Sequence, residues 1–439
     1  MCESPVVHLS LVAAGVMLMT LAAAVQTPPL SPEERALSTY IDAHNDEAIA
    51  LLERVVNINS GTMNVAGVRE VGAVFRAELD RLGFKTMWVD QSAVQRAGHL
   101  IAEHPGPGPR LLLIGHLDTV FDKDGPFQRF ERLSPDAARG PGVIDMKGGD
   151  VIMLQALKAL HATGLLKAMN ITVALMGDEE EPGRPRSRAR EALVAAARGA
   201  AAAIGFENGD GDPHHAIVAR RGTTSWELRV TAKSGHSSQI FSADLGSGAV
   251  FETARILEAF RTRLAGEPHL TFNPGVIVGG ANVDLDAVSS KGVASGKTNI
   301  VSADTRVIGD LRALSVEQFA AAQAAMQDIV SRSLPGTSAA ITFDDGYPPL
   351  APTEGNTRLL ALYDRGSQDL GYPPVTAISP DRAGAADVSF VAGHVPMVLD
   401  AVGMKGRGDH SPEETADLRA LPMQAKRAAV LLHRLALAK

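Results

Sequence analysis

Cysteine is nearly absent: the 439-residue chain has one, Cys2, and it lies just ahead of an apolar N-terminal run. A chain processed beyond that run would hold no disulfide and no thiolate. Cysteine nucleophiles, iron–sulfur clusters and Cys-ligated zinc are thereby excluded, and any metal falls to His, Asp and Glu. Basic blocks are absent too. With 42 Lys plus Arg against 50 Asp plus Glu and a formal charge of −8, the chain offers no electrostatic footprint for nucleic acid, and such partners are discarded. Charged residues at 21% and hydrophobic ones at 45% argue against a coiled coil, a collagen-like repeat or extensive disorder. Two domains suit the length.

The long hydrophobic run is confined to residues 9–25 and closes on Ala22, Ala23 and Ala24. Residues 1–26 therefore read as an export signal, with cleavage expected after Ala24. Glu3 and His8, without any Lys or Arg, make an atypical leading segment, which leaves an uncleaved membrane anchor as the alternative. No later stretch approaches the roughly 20 apolar residues needed to cross a bilayer.

After the prolines at 28, 29 and 32, helical spacing over residues 32–57 is followed by short apolar runs at 85–89, 100–103, 111–114, 171–176 and 202–206, with amphipathic stretches at 68–82 and 150–163 between them. The run Leu111, Leu112, Leu113, Ile114 lacks polar alternation, as in a strand covered on both faces. The class is α/β. From about Gly222 the pattern becomes strand 223–231, helix 246–264, strands 270–278 and 299–311, helix 315–333 and strand 339–343, the β-α-β-β-α-β order of a ferredoxin-like layer. The Ala-rich stretch 191–203 reads as a packed helix, and a helix over 421–437 ends the chain. These readings divide it into a signal (1–26), a first segment of the larger domain (27–221), an inserted layer (222–345) and a second segment of the larger domain (346–439).

Five short stretches carry chemistry. His116 and Asp118 follow a buried strand at i, i+2 spacing, which points both side chains one way. Asp118 could then receive the imidazole's second N–H. Asp145 sits among Gly140, Gly142, Gly148 and Gly149. Asp178, Glu179, Glu180 and Glu181 follow the strand at 171–176, and four adjacent carboxylates repel unless solvated or met by a cation. Glu207 follows another buried strand, and His410 sits in Asp409-His410-Ser411. Singly, each is equally a turn, a cap or a solvated loop. Together they bring two His and at least three carboxylates to strand-end loops, the donor set of a pair of divalent ions.

The stretches Gly115-His116-Leu117-Asp118-Thr119-Val120, 142–149, Gly177-Asp178-Glu179-Glu180, Phe206-Glu207 and Asp409-His410-Ser411 resemble, in order, the aminoacylase / glutamate carboxypeptidase / succinyl-diaminopimelate desuccinylase family of dizinc hydrolases, closest to its secreted bacterial glutamate carboxypeptidase branch. The resemblance implies a zinc-exopeptidase-like mixed sheet sandwiched by helices, the inserted layer being a lid. It implies two Zn2+ per chain, with Co2+ or Mn2+ as alternatives. Asp145 would bridge them, His116 and Glu207 completing one site and Glu180 and His410 the other. Glu179 would be the general base, Asp118 would orient His116, and the Asp145-Met146 peptide would be cis.

In the lid, His236 of Ser234-Gly235-His236-Ser237 resembles a histidine that stabilises the oxyanion, in many members across a dimer interface, and Asn299 and Arg312 resemble substrate contacts. Arg382-Ala383-Gly384-Ala385-Ala386-Asp387 looks like a degraded Gly-rich substrate loop, in which Arg382 could hold a terminal carboxylate beside Gly384. The stretch 181–186 is longer and more basic than the family's usual loop, while His214-His215 reads as bland surface. The resemblance implies an exported homodimer, joined through the lid, that cleaves an amide bond beside a free carboxylate in a small peptide or N-acyl amino acid. An N-acyl amino-acid deacylase on the same scaffold is the nearer alternative. A catalytically silent binding scaffold is the further one, and Glu179 with a full ligand set speaks against it.

Overall fold

The computed structural model describes residues 30–287 and 289–437, so the expected signal over 1–26 lies outside the described residues. The Arg110–His116 strand lies inside the largest sheet, a six-stranded one ordered Lys85–Val89, His99–His104, Asn170–Met176, Arg110–His116, Ala202–Gly205, Val398–Leu399. Successive side chains on a strand point to opposite faces. Leu111 and Leu113 accordingly enter the core beneath the helices Pro32–Ala43, Lys147–Ala162 and Ala420–Leu437, while Leu112 and Ile114 enter the core beneath Glu191–Ala197. The sheet is mixed. Its first two pairings are antiparallel and its last three parallel. Three parallel neighbours, 170–176, 110–116 and 202–205, thus end on one edge, where open α/β sheets bind ligands.

The inserted layer is an antiparallel four-stranded sheet ordered Thr271–Gly280, Asp304–Ala313, Gly222–Ala232, Thr337–Phe343, backed by the helices Gly248–Leu264 and Val316–Val330. One face is dry: Trp226, Leu228 and Val230 pack with Ile256, Phe260 and Met326. The chain enters and leaves this layer side by side, with Arg220 pairing Leu350 and Thr223 pairing Tyr347 antiparallel.

Three departures from the sequence reading have local causes. The helical stretch at 32–57 is two helices, Pro32–Ala43 and Asn45–Val56, because His44 leaves helical geometry at φ −116 and caps both. The Ala-rich segment is helical only over Glu191–Ala197; Gly199 at φ +77 ends it, and Ala202 and Ala203 pair in the sheet. A hairpin, Asn282–Asp286 with Lys291–Ser295, escaped the reading because almost all of its residues are at least partly exposed and no burial rhythm marks it.

Gly149 joins this scaffold to its ligand-binding edge. A Cβ there would stand 2.0 Å from the Phe206 carbonyl oxygen, a backbone atom just ahead of Glu207. Gly149→Ala is expected to cost about 1–3 kcal/mol in urea unfolding, as overpacking does. An unchanged midpoint would mean that the contact relaxes freely.

Candidate active site

Asp145 is the residue that both histidines approach. Its Oδ1 lies 3.1 Å from His116 Nε2 and its Oδ2 3.1 Å from His410 Nε2. Glu207 Oε1 stands 3.6 Å from the first imidazole nitrogen and Glu180 Oε2 3.2 Å from the second. Two donor sets result, His116–Asp145–Glu207 and Asp145–Glu180–His410, each with its ligand atoms within 4.8 Å of one another. N and O ligands sit about 2.0–2.2 Å from zinc, so the edges of such a tetrahedron run to roughly 3.3–3.6 Å. The observed spacings fall at or a little under such edges. Glu180 Oε1 is buried without a partner, an orphan that a cation would satisfy. The residues present fit two divalent cations with Asp145 between them.

Electrostatics tell the same story. Burial opposes ionisation of Asp145, yet hydrogen bonds from both imidazoles hold its carboxyl well below the usual range. Hydrogen bonds to Asp145 and Glu180 push His410 up to about 11. Burial works against a charged His116, but its bonds to Asp118 and Asp145 prevail and raise it well above the ordinary value. Glu207 is pushed up by burial and then by the charge of Asp145; Glu179 is pushed up by burial and then by Asp387. Cation binding at these donors would therefore compete with the protons that the raised groups favour.

Positioning comes from residues outside the donor sets. His116 Nδ1 lies 3.1 Å from the Asp118 main-chain carbonyl and 3.4 Å from its Oδ1, which leaves Nε2 facing the centre. The same carboxylate accepts the N–H groups of Glu179 at 3.0 Å and Glu180 at 3.1 Å and the hydroxyl of Thr62 at 2.6 Å. Glu414, four residues past His410, accepts the backbone N–H groups of Gly142, Ile144 and Asp145 at 2.9, 2.8 and 3.1 Å. It ties the His410 turn to the Asp145 loop, whose Asp145-Met146 bond is cis. Arg190 is fully buried, its Nε on Asp387 Oδ1 and its Nη1 on Asp178 Oδ1, both at 2.6 Å. Arg220 is paired to Asp400 at 2.7 Å and also donates to the Gly384 carbonyl.

A cleft of about 1320 Å³ opens between Glu180, Arg96 and Arg186 on one side and Trp226, Asn273 and Asp310 of the lid on the other. His236, Asn299, Arg312, Arg382 and Gly384 do not line it. His236 is exposed, its Nδ1 on Ser238 Oγ at 2.8 Å, and the Asn299 carbonyl accepts the Ser237 N–H. Arg312 pairs with Asp310 at 2.9 Å, and Arg382 with Asp210 at 3.1 Å, so each guanidinium already has a carboxylate from its own chain. The basic loop at 181–186 reaches the lid instead, with Arg184 and Arg186 both on Asp344. His214 and His215 are engaged by Asp212 and Asp210. Thr62, Glu414, Arg190 and Tyr347 were not singled out in the sequence, and Asp387 was quoted only as the end of the 382–387 loop, without a role of its own. Glu414 alone carried a local hint, its short distance from His410.

Two outcomes follow from this geometry. Glu414→Ala is expected to weaken cation binding by about 10–100-fold, as loss of an outer-shell partner does, measured by calorimetric titration of the cation-free protein. Unchanged affinity would free the Asp145 loop from Glu414. In the wild type at pH 7, cation uptake is expected to release protons from the imidazoles and raised carboxyls. The measured enthalpy should therefore shift with the ionisation enthalpy of the buffer, and a buffer-independent value would contradict the protonation pattern.

The model of Peptidase family M20/M25/M40 matches residues 112–434. Carboxypeptidase G2 of Pseudomonas sp. (strain RS-16) is 27% identical over 391 residues, 88% of each chain. Acetylornithine deacetylase of Pasteurella multocida (strain Pm70) is 29% identical over 217 residues, 47% of this chain and 55% of that one. Among solved structures, the aminopeptidase PepT of Bacillus cereus ATCC 10987 superimposes with a TM-score of 0.71 at 19% identity, covering 89% of this chain and 99% of its own. The metallo-carboxypeptidase Sso-CP2 of Sulfolobus solfataricus gives 0.65 at 16%, covering 90% of this chain and 100% of its own. Those structures share the fold. With His116, Asp145, Glu180, Glu207 and His410 all inside the matched stretch, the chain belongs to peptidase family M20/M25/M40 and is a metal-dependent exopeptidase or amidohydrolase.

Proposed function

We propose that the protein hydrolyses an amide bond adjacent to a free carboxylate, as a carboxypeptidase of the kind its similarity to Carboxypeptidase G2 over 88% of the chain suggests. The observation that carries this reading is the place of Glu179. Its neighbour Glu180 belongs to a donor set and Glu179 does not, while Asp118 fixes the backbone N–H of both. Two cations, zinc foremost and cobalt or manganese as alternatives, would supply Lewis acidity and lower the pKa of a water at the centre. Asp118 keeps His116 turned inward, and Glu179, its pKa raised by burial, takes a proton from the attacking water and passes it to the leaving nitrogen. The similarity to acetylornithine deacetylase over about half the chain supports a second reading, an N-acyl amino-acid deacylase.

Lid closure is the proposed route by which Asn299, Arg312, Arg382 and Gly384 meet a substrate carboxylate, with His236 at the oxyanion. A homodimer through the lid is part of the proposal. Phe241, Val250 and Phe251 are exposed there, the two rings 5.4 Å apart, an apolar patch that a second copy would cover. Export through residues 1–26 completes it.

Glu179→Ala is expected to lower kcat by at least about 10²–10⁴-fold, the usual worth of a general base, with two cations still bound. Elemental analysis and a hydrolysis screen over dipeptides, N-acyl amino acids and aryl-glutamates, before and after chelation, check this. Substantial turnover by the variant would remove Glu179 from the role; cleavage by the wild type that survives chelation would remove the metals.

A further inference from the structure

The hydroxyl of Tyr347 donates to the main-chain carbonyl of Glu179 at 2.8 Å. Nothing in the catalytic reading requires this residue, which belongs to the strip of chain leaving the lid. Its backbone is hydrogen-bonded in both directions to Thr223 on the strip entering the lid, N to O at 2.8 Å and O to N at 3.0 Å. The two crossings between the bodies are thus joined at Tyr347, as they are at Leu350 with Arg220. The ring stands edge-on to Phe390, with centroids 5.0 Å apart, and Arg186 lies over it at 5.6 Å. Arg190 Nη2, from the buried pair of ion bridges to Asp178 and Asp387, reaches the same hydroxyl at 3.4 Å.

The far flank of this hinge is hollow. A cavity of about 640 Å³ lies against Tyr347, Phe390, Phe319 and Pro348. Phe390 and Arg186 hold the ring, and the hydroxyl adds its one link to the Glu179 carbonyl. The other hinge clamps bypass the base: Thr224 Oγ1 donates to the Asp344 carbonyl at 2.7 Å, and Arg184 and Arg186 grip the Asp344 carboxylate.

We propose that Tyr347 is a positioning residue that ties the lid hinge to the base, its hydroxyl transmitting lid rotation to the Glu179 backbone. The proposal rests on Glu179 acting as the base. Movement of that carbonyl swings the side chain that takes the proton, and misplacement by about 1 Å can cost on the order of a hundredfold in rate.

Tyr347→Phe keeps the ring, its contacts with Phe390 and Arg186 and the backbone pairing with Thr223, and removes only the hydroxyl. In the full-length, cation-loaded enzyme, kcat is expected to fall at least about tenfold with KM within about twofold, and with cation content and melting temperature unchanged. Amides of residues 178–183 are expected to exchange with deuterium about tenfold faster, with or without cations. Thr224→Val is the control: it loosens the hinge without touching Glu179 and is expected to leave kcat and this exchange as in the wild type. The proposal is overturned by unchanged kcat and exchange in Tyr347→Phe, by an equal loss in Thr224→Val, or by a loss that lowered cation content or melting temperature explains. A wild type that cleaves no amide would remove the base reading, and the exchange rates would still decide whether Tyr347 holds the loop.

Discussion

One carboxylate, Asp145, faces two imidazoles, and the geometry of the site follows from keeping its two oxygens apart in function. Each oxygen serves a different histidine at 3.1 Å, so the loop that carries it must be fixed in both position and rotation. Glu414 does this by taking the N–H groups of residues 142, 144 and 145 on one buried carboxylate. A single hydrogen bond would have left the loop free to pivot. Glu414 lies four residues past His410, so the same short stretch that carries the second histidine also fixes the Asp145 loop.

The acidic groups gathered at this edge would repel one another if left to themselves, and burial makes that repulsion stronger. Two devices counter it. Within the centre, the facing carboxylates push both imidazoles towards their charged forms. Around it, buried arginines neutralise the supporting carboxylates: Arg190 serves Asp178 and Asp387, and Arg220 serves Asp400. These pairs cost desolvation and are weak as sources of stability. Their value here is placement, since Asp178 precedes Glu179, Asp387 closes the Gly384 loop, and Asp400 Oδ1 accepts from the backbone of Glu207 at 3.4 Å.

The donor atoms were legible in the sequence because each follows a short apolar run or sits among glycines, and a metal ligand must be of a particular residue type wherever it stands. The inserted layer was legible for a similar reason, since its strands and helices have different periods. Asp118 was legible from its spacing to His116, but the other residues that aim the donors left little or no such trace. Glu414 meets Gly142 across 272 positions, Arg190 meets Asp387 across 197 and Tyr347 meets Glu179 across 168, distances over which no local pattern survives. Arg312 and Arg382 illustrate the converse. A guanidinium is visible in a sequence, but the carboxylate that already occupies it is not, and both are paired within their own surroundings.

That pairing bears on how a substrate carboxylate would be held. An arginine paired to Asp210 or Asp310 is not a vacant receptor; to bind a substrate it must exchange one carboxylate for another, and the net gain is the difference between two similar contacts. The exchange becomes favourable where the second contact is drier than the first, because charge-assisted bonds strengthen as water is excluded. Arg382 is exposed at its present pair and Arg312 partly so, with side-chain exposures of 64% and 38%, and burial by a closing lid or a second copy would supply that difference. On the proposed reading, closure would then be part of recognition itself, and the strip of chain leaving the lid carries the tyrosine that touches Glu179.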